Sequence, residues 1–314
     1  MSMSVAIVGT GLVGRAWAIA FARAGAHCRL YDATPGAAEA ARDRIAPLLD
    51  DMVEAGLLEA SAPVLNRLES VETLAAALDG CHWLQESVPE TLELKCRVWA
   101  EIDALAPPGA LLASSTSAIV PSKFTEPLAN RERCLVAHPL NPPYLIPAAE
   151  LVPAPWTTTD TMRRAADILT GIGMAPISMT RELDGFVMNR LQGALLEEAF
   201  RLVDGGYCST EDVDRGLKQG LALRWSFMGP FETIDLNAPL GVRDYCERYQ
   251  HIYERLHPSM RHRADWTGPV LGRIEAERRA ALPADQLEAR QRWRDRRLMA
   301  LAAHKQHASG SIGD

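Results

Sequence analysis

The sequence predicts an α/β fold, in which a doubly wound parallel sheet is followed by an all-helical domain. Three observations lead to this prediction. Short β-branched apolar runs alternate with helical patterns in the first part of the chain, a glycine-rich turn joins the first strand to the first helix, and strand signals end near residue 183. We therefore predict an α/β domain over residues 1–183 and a helical domain over residues 184–314.

The first elements follow one another as strand, glycine turn, helix and strand, which is one βαβ unit. Residues 4–8 (SVAIV) are apolar and β-branched, and a helical pattern runs from about Arg15 to Ala24. Residues 27–31 form the second strand, and helical spacing then covers about 35–58. Later predicted strands are 82–85, 110–113 and 134–137, and later predicted amphipathic helices are 186–204, 210–219 and 230–236.

The composition is that of a globular protein without a polyanionic partner. The net charge of −7 argues against nucleic acid and against an anionic membrane surface. No run approaches the ~18 apolar residues that span a bilayer, and no signal-peptide pattern is visible. The six cysteines are scattered without a Cys-x-x-Cys pair, which indicates reduced thiols rather than disulfides or a metal site. We expect a cytoplasmic protein.

The glycine turn has the sequence GTGLVG and carries a dinucleotide-binding pattern. This pattern alone is a weak signal, but here it follows a strand and opens a helix. Gly9 permits the tight turn, Gly11 lets a pyrophosphate approach the backbone, and Gly14 lets helix and strand pack closely. The amides near Leu12 and Val13 would face the phosphates. The motif therefore predicts a Rossmann-type domain.

An acid at the end of the second strand indicates which dinucleotide is bound. Asp32 follows Gly14 by 18 residues and can accept hydrogen bonds from the adenosine ribose hydroxyls. Its carboxylate would repel the 2′-phosphate of NADP, so NAD is the predicted cofactor. A glycine turn that serves packing alone would need no such acid.

His138 is the histidine best placed to act as a base. Oxidation of an alcohol by a nicotinamide cofactor requires a group that takes the hydroxyl proton, and the ordinary histidine pKa of about 6.5 suits this role. His138 ends the apolar run CLVA, at the carboxyl end of a predicted parallel strand, where side chains face the ligand crevice. By position alone, a structural role is equally compatible.

Several motifs together resemble one family. SSTS (114–117), AHPLNPP (137–143), Glu150 and GFVMNRL (185–191) are similar to the 3-hydroxyacyl-CoA dehydrogenase superfamily. The segments SSTSAIVPSK and MGPFETIDLNA look most like its lambda-crystallin branch, which includes L-gulonate 3-dehydrogenases. The resemblance runs from Val5 to about Lys305, and no single motif would suffice for it.

The resemblance implies a catalytic set. His138 would be the general base, Glu150 would orient and stabilise its imidazolium, and Ser117 would contact the substrate oxygen and the nicotinamide side. Asn189 would bond the substrate from the second domain. Each has a structural alternative: Ser117 as a helix N-cap, Glu150 in a surface ion pair, and Asn189 bonded to backbone at a helix start.

The resemblance also implies further cofactor contacts. Glu90 and Lys95 would lie near the nicotinamide ribose, and Asn141 would lie beside the nicotinamide. Lys95 stands in the charged segment ELKCR, so an exposed position on a helix is its alternative.

One position separates this chain from a sister class of hydroxy-acid dehydrogenases. That class uses a lysine base one helical turn before an asparagine, and Gly185 stands four residues before Asn189 here. The neighbouring Arg190 cannot replace the lysine, because a guanidinium does not deprotonate in proteins. The histidine-based branch is therefore favoured.

The substrate could be a free hydroxy acid or a CoA thioester. By resemblance, CoA-contacting helices would fall within about 36–70, which holds three arginines, no lysine and seven acids. That balance disfavours a polyanionic tail. A free acid needs a cation, for which Arg224 and Lys123 are candidates. We expect oxidation of L-gulonate, with L-3-hydroxyacyl-CoA as the alternative substrate.

Two further expectations concern assembly and activity. The helical second domain implies a homodimer by resemblance, with substrate and nicotinamide meeting between the two domains of each chain. A non-catalytic reading, as an NAD-binding regulator or a crystallin-like structural protein, predicts NAD binding without turnover. It is disfavoured because Ser117, His138, Glu150 and Asn189 are all present.

Overall fold

The computed structural model describes residues 3–313, which form two packed units. One unit comprises the residues up to Met188 together with Trp293–Ser311, and the other comprises Asn189–Arg292 with the residues after Ser311. Each unit is described separately below.

The first unit is built on one eight-stranded sheet. Its strands are β1 (Ser4–Val8), β2 (His27–Tyr31), β3 (Leu68–Ser70), β4 (Trp83–Glu86), β5 (Leu111–Ser114), β6 (Cys134–Pro139), β7 (Ala148–Pro153) and β8 (Ala175–Ser178). The strand order is β3-β2-β1-β4-β5-β6-β7-β8. All neighbours pair in parallel except β6 and β7, which are antiparallel. The predicted doubly wound α/β fold is confirmed.

Helices cover both faces of this sheet. They are α1 (Leu12–Arg23), α2 (Ala37–Glu54), α3 (Ala62–Leu65), α4 (Leu74–Leu78), α5 (Leu92–Leu105), α6 (Ser122–Thr125) and α7 (Thr159–Gly171). Side chains of β1 alternate between two cores, since Val5 and Ile7 join one and Ala6 and Val8 the other. The first core includes residues of α1, α2 and α7, and the second includes residues of α4, α5 and α6.

Aromatic side chains fill both cores. In the first, Trp17 and Phe21 of the alanine-rich α1 lie 5.7 Å apart, and Phe21 lies 5.8 Å from Trp83 between ring centroids. In the second, Trp99 and Phe124 are separated by 4.9 Å. Residues 16–22 of α1 are all apolar and all buried.

The strand topology creates a crevice at the carboxyl edge of the sheet. β1 lies between β2 and β4, and the chain order reverses at this point. Ligands of open α/β sheets bind at such a switch point. The glycine turn that follows β1 and the loop that follows β4 therefore lie at the expected place.

The second unit is helical, as predicted. Its helices are α8 (Met188–Asp204), α9 (Thr210–Gly216), α10 (Ala222–Trp225), α11 (Pro230–Leu236), α12 (Val242–Met260) and α13 (Pro269–Ala281), followed by the start of α14 (Leu287–Ile312). Within residues 189–292, only Val203, Thr233 and Val270 are buried. Many large apolar side chains are exposed, including those of Tyr207, Phe227, Phe231, Leu236 and Leu240.

Most of the last helix packs with the first unit rather than with the second. We predicted a domain boundary that assigned residues 184–314 together, but residues 293–311 belong to the first unit. Met299 is 1% exposed and lies in the core that includes α1 and α2, and Arg296 lies 2.8 Å from Asp51 on α2. Met299 is thus buried with the first unit, and Arg296 contacts α2 through an exposed ion pair.

No helix within residues 3–313 is both long enough and apolar enough to cross a membrane.

Candidate active site

The first and third glycines of the turn are required by close packing. Gly9 has φ +89, and a Cβ there would lie 2.7 Å from the backbone carbon and oxygen of Ser87. A Cβ on Gly14 would lie 1.9 Å from the carbonyl oxygen of Gly9. A side chain at either position would force the turn away from β4 or from α1.

The second glycine faces open space instead. A Cβ on Gly11 would meet no atom within 4 Å, although Gly11 is the N-cap of α1 and carries no side-chain cap. The amides of Leu12 and Val13, in the first turn of α1, have no intrahelical partner by position. This combination of open backbone and helix N-terminus fits the pyrophosphate of a dinucleotide.

A cavity of about 630 Å³ extends from this turn, and Asp32 is one of its lining residues. One carboxylate oxygen, Oδ2, accepts hydrogen bonds from the Thr10 amide (2.8 Å) and the Thr10 hydroxyl (3.0 Å). The other, Oδ1, accepts from the Thr34 amide at 3.0 Å. Burial acts to raise the pKa of Asp32, but these hydrogen bonds outweigh it and hold the pKa below its ordinary value. The carboxylate is thus fixed and ionised at the position where a ribose would be bound.

His138 and Glu150 form a buried pair. They are direct partners in the antiparallel register of β6 and β7, so their side chains leave the same face of the sheet. His138 Nδ1 lies 2.6 Å from Glu150 Oε2, and the two residues are 6% and 0% exposed. The alternative of a surface ion pair for Glu150 is therefore wrong.

The second oxygen of Glu150 binds the start of a helix. Glu150 Oε1 accepts hydrogen bonds from the amides of Val187 (2.5 Å) and Met188 (2.8 Å), where α8 begins. Burial acts to raise the pKa of Glu150, but the bonds from His138 and from these amides hold it below its ordinary value. The carboxylate is therefore ionised, and each of its oxygens accepts at least one hydrogen bond.

The turn before α8 also orients the imidazole. Phe186 has φ 51, an uncommon conformation for a residue with a side chain, and it follows Gly185 at φ +78. The ring of Phe186 is buried and lies 5.5 Å from the His138 ring between centroids, at an interplanar angle of 54°. Phe186 was not among the predicted site residues.

This arrangement determines which histidine nitrogen can act as a base. A carboxylate can only accept, so Nδ1 carries the hydrogen that binds Glu150. In the neutral imidazole, Nε2 then bears the lone pair and can take a proton. When it does so, the positive charge develops beside an ionised, buried carboxylate.

Glu90 holds the loop that contains Ser117. Its Oε1 accepts a hydrogen bond from the Thr116 hydroxyl, and also from the amides of Ser117 (3.2 Å) and Ala118 (3.3 Å). Ser117 is exposed and lies in a bend, and the N-cap of the following helix α6 is Pro121. The N-cap alternative for Ser117 is therefore wrong.

Lys95 is buried in an ion pair. It is 1% exposed, and its Nζ lies 2.9 and 3.0 Å from the two carboxylate oxygens of Glu86 and 3.3 Å from Ser114 Oγ. The buried carboxylate of Glu86 also accepts from Trp99 Nε1 at 3.1 Å. Lys95 therefore neutralises a buried acid, so the alternative of an exposed position on a helix is wrong, and its contact with the nicotinamide ribose stays a prediction.

Asn141 follows β6 and is half-buried. Its side-chain oxygen is buried and has no hydrogen-bond partner among the described residues. A buried amide oxygen without a partner is unfavourable by about 1–3 kcal/mol, and a ligand carboxamide could donate to it. This observation fits the predicted position beside a nicotinamide.

Two predicted site residues belong to the second unit. Asn189 is the second residue of α8, and Arg224 lies in α10. Arg224 is half-buried, and its Nε is buried without a hydrogen-bond partner among the described residues. Its environment is thus unlike that of a fully exposed surface arginine.

Comparison with known families agrees with this geometry. The NAD-binding domain of 3-hydroxyacyl-CoA dehydrogenase matches residues 4–183, and the C-terminal domain of 3-hydroxyacyl-CoA dehydrogenase matches residues 185–269. Together they span most of the chain and include every predicted site residue.

Individual relatives cover the chain to different extents. Lambda-crystallin from Oryctolagus cuniculus is 40% identical over 96% of each chain. L-carnitine dehydrogenase from Pseudomonas sp is 37% identical over 78% of this chain and 76% of its own. The solved structure of an NAD+-dependent dismutase, 5-formyl-3-hydroxy-2-methylpyridine 4-carboxylic acid 5-dehydrogenase, has a TM-score of 0.81 and 27% identity, and the match covers 96% of this chain and 97% of that one. The chain therefore belongs to the 3-hydroxyacyl-CoA dehydrogenase family and is an NAD-dependent oxidoreductase.

Proposed function

We propose that the protein oxidises the hydroxyl on carbon 3 of a free 3-hydroxy acid, with L-gulonate as the substrate to test first. The observation that carries the proposed chemistry is the buried His138–Glu150 pair, 2.6 Å apart, at the carboxyl end of a strand beside the cofactor crevice.

Each step of the proposed chemistry is assigned to a group in the site. NAD, when bound, accepts the hydride that leaves carbon 3. His138 Nε2 takes the hydroxyl proton, and Glu150 stabilises the imidazolium and preserves the tautomer. Ser117 holds the substrate oxygen, Asn189 binds the substrate, and Asn141 orients the carboxamide of the cofactor.

A contact at the C-terminal end of α2 supports a free acid over a thioester. The resemblance would give residues 36–70 to a CoA tail, and the most regular part of that range is α2. Within residues 293–311, Met299 is buried near that end of α2, and Arg296 pairs with Asp51 at 2.8 Å. Arg294 is likewise paired, with Asp295 at 2.7 Å. These arginines are therefore already neutralised by carboxylates, which reduces their attraction for CoA phosphates.

The names of relatives favour the same substrate class. Carnitine and the pyridine carboxylic acid are both free acids, and they are the substrates named for two similar proteins. The family name itself supports the alternative, an L-3-hydroxyacyl-CoA.

We assign recognition of the substrate carboxylate to Arg224. A guanidinium binds a carboxylate through two parallel hydrogen bonds. The buried Nε of Arg224, which has no partner among the described residues, is one donor that such a ligand would satisfy.

We also propose a homodimer formed through the second unit. Residues 189–292 bury only three side chains, while aromatic and aliphatic groups remain at their surface. Exposed apolar area on this scale is typical of an obligate interface. Sedimentation equilibrium should give twice the chain mass of 34.4 kDa, and a mass equal to one chain would contradict this.

A cytoplasmic location is proposed on the chemistry of the cysteines. All six are free thiols, and three of them, Cys28, Cys81 and Cys134, are buried. Free thiols persist in a reducing compartment.

The substrate proposal is tested by initial rates of NADH formation at saturating NAD, with L-gulonate and L-3-hydroxybutyryl-CoA compared. We expect kcat/KM to be at least about tenfold higher for L-gulonate, the discrimination that roughly 1.4 kcal/mol of differential binding provides. A higher value for the thioester would make the protein an acyl-CoA dehydrogenase and would show that the contact at the end of α2 does not exclude CoA.

A further inference from the structure

A chain of hydrogen bonds runs beneath the cofactor cavity from Trp83 to Ser87. Trp83 Nε1 donates to Gln85 Oε1 at 3.0 Å, and both residues are fully buried. Gln85 Nε2 donates to Ser115 Oγ at 2.7 Å and to the Ala137 carbonyl oxygen at 3.3 Å. Ser115 Oγ lies 2.8 Å from Ser87 Oγ. The chain thus links β4, β5 and β6 at the edge where ligands bind.

The orientation of the Gln85 amide is fixed by its neighbours. An indole N–H can only donate, so it must face the amide oxygen, and a backbone carbonyl can only accept, so it must face the amide nitrogen. The second N–H of that nitrogen is directed at Ser115. Ser115 Oγ is therefore an acceptor in this contact.

Ser87 and Ser115 together carry two hydroxyl hydrogens, and the hydrogen bond between them uses only one. A single hydrogen joins Ser115 to Ser87. Because Ser115 accepts from Gln85, its own O–H is polarised and is the better donor of the two. The Ser87 hydroxyl then ends the chain, and within residues 3–313 it has no acceptor other than Ser115.

Ser87 lies where that hydrogen can reach a ligand. It lines the cavity of about 630 Å³ together with Gly9, Gly11 and Asp32. Its carbonyl group lies 2.7 Å from the position of a Cβ on Gly9, which places it against the glycine turn. The pyrophosphate of a dinucleotide and the ribose that adjoins it pass this turn, and both carry acceptor oxygens.

We propose that Ser87 donates a hydrogen bond to an oxygen of the nicotinamide-side phosphate of the bound dinucleotide or of the ribose attached to that phosphate, and that Gln85 and Ser115 are positioning residues that direct its hydrogen. The inference concerns cofactor binding alone, so it does not depend on the identity of the substrate.

The test measures ligand binding to the full-length protein by isothermal titration calorimetry, without substrate. We expect Ser87→Ala to weaken NAD and ADP-ribose equally, by about five- to tenfold for one hydrogen bond, and to leave AMP unchanged. Weaker binding of ADP would identify the pyrophosphate as acceptor, and unchanged ADP would identify the ribose. Ser178→Ala, the same change at an exposed serine that ends β8, should leave all four ligands unchanged.

The positioning role of Gln85 is tested by reversing the direction of the hydrogen bonds that join Gln85, Ser115 and Ser87. In Gln85→Glu, the new carboxylate only accepts, so Ser115 donates to it, Ser87 donates to Ser115, and no donor is left for the ligand. Affinity for NAD should fall as in Ser87→Ala, and the double variant should bind no more weakly than either single variant. A buried charge can prevent folding, so Ser115→Ala is the second variant, with a smaller loss expected because Ser87 keeps its hydrogen.

Three results would overturn the proposal in whole or in part. Unchanged NAD affinity in Ser87→Ala would show that Ser87 does not bond to the dinucleotide. An equal loss of affinity for AMP would indicate a general disturbance of the cavity. Additive losses for Gln85→Glu and Ser87→Ala would show that the two residues act independently, which would remove the positioning role.

Discussion

Replacing Glu150 by glutamine tests the central pair of the site with little change in shape. The amide oxygen can still accept from the amides of Val187 and Met188, which lie 2.5 and 2.8 Å from Glu150 Oε1. The amide nitrogen would then face His138 Nδ1, and it can only donate. The imidazole must adopt the tautomer with its hydrogen on Nε2, so Nε2 can no longer take the substrate proton.

The magnitude follows from the geometry of the pair. The imidazolium and the carboxylate, in contact at 2.6 Å between Nδ1 and Oε2, have charge centres about 4 Å apart, which corresponds to roughly 4 kcal/mol at an effective dielectric constant of about 20. That energy corresponds to about a thousandfold in rate. The equivalent carboxylate-to-amide change in a serine protease triad lowers kcat by about 10⁴. We therefore expect kcat to fall by about 10²–10⁴ in Glu150→Gln.

The assay is kcat for NADH formation at saturating substrate and NAD, with NAD affinity and thermal stability measured alongside. Affinity for NAD should be unchanged, because Glu150 does not line the cofactor cavity. Glu126→Gln, at an exposed acid, is the matched control. Wild-type kcat in Glu150→Gln would refute the assignment of His138 as the base held by Glu150.

Three further predictions follow from the same structure. Because the pKa of Glu150 is held below its ordinary value of 4.5, its contribution to the free energy of unfolding is complete above that pH and is lost as the pH falls through the folded-state pKa. The stability difference between wild type and Glu150→Gln should therefore shrink on acidification below about pH 4.5, as measured by urea unfolding, and a growing difference would contradict the shift. Asp32→Ala should raise the Kd for NAD and reduce discrimination against NADP in direct titrations. If the variant and the wild type have the same Kd for NAD and the same Kd for NADP, Asp32 does not contact the ribose. Arg224→Ala should raise KM for a free hydroxy acid by about tenfold, the order of one charge-assisted hydrogen bond, with Arg224→Lys intermediate, and unchanged steady-state kinetics would remove Arg224 from the site.

Local patterns were sufficient for much of the fold. The bounds of β1, β2 and α11 agree with the predicted residues, because each is a short run whose periodicity and flanking turn residues are contiguous in the chain. β7 and β8 were not predicted. β7 follows a proline-rich segment, and it becomes a strand through antiparallel pairing with β6, a partner that the sequence does not specify.

Some features of the candidate site could likewise be predicted from the sequence, and others could not. The glycine turn and Asp32 could be identified from spacing, since the turn, the helix start and the end of the next strand are close in sequence. His138 was a candidate by position, but its pairing with Glu150 depends on the register of two strands. Lys95 was assigned to the cofactor, and only the folded chain reveals that it neutralises Glu86.

The sequence by itself determined the fold class and the cofactor and made His138 a candidate base, because these depend on periodicity and on motifs whose residues are near neighbours in the chain. Only the tertiary structure decided which charged groups are buried together, that Met299 of α14 is buried near the end of α2, and that Phe186 lies against the imidazole. The physical reason is that the burial and pairing of a side chain depend on groups that are distant in sequence, and a one-dimensional pattern does not record those contacts.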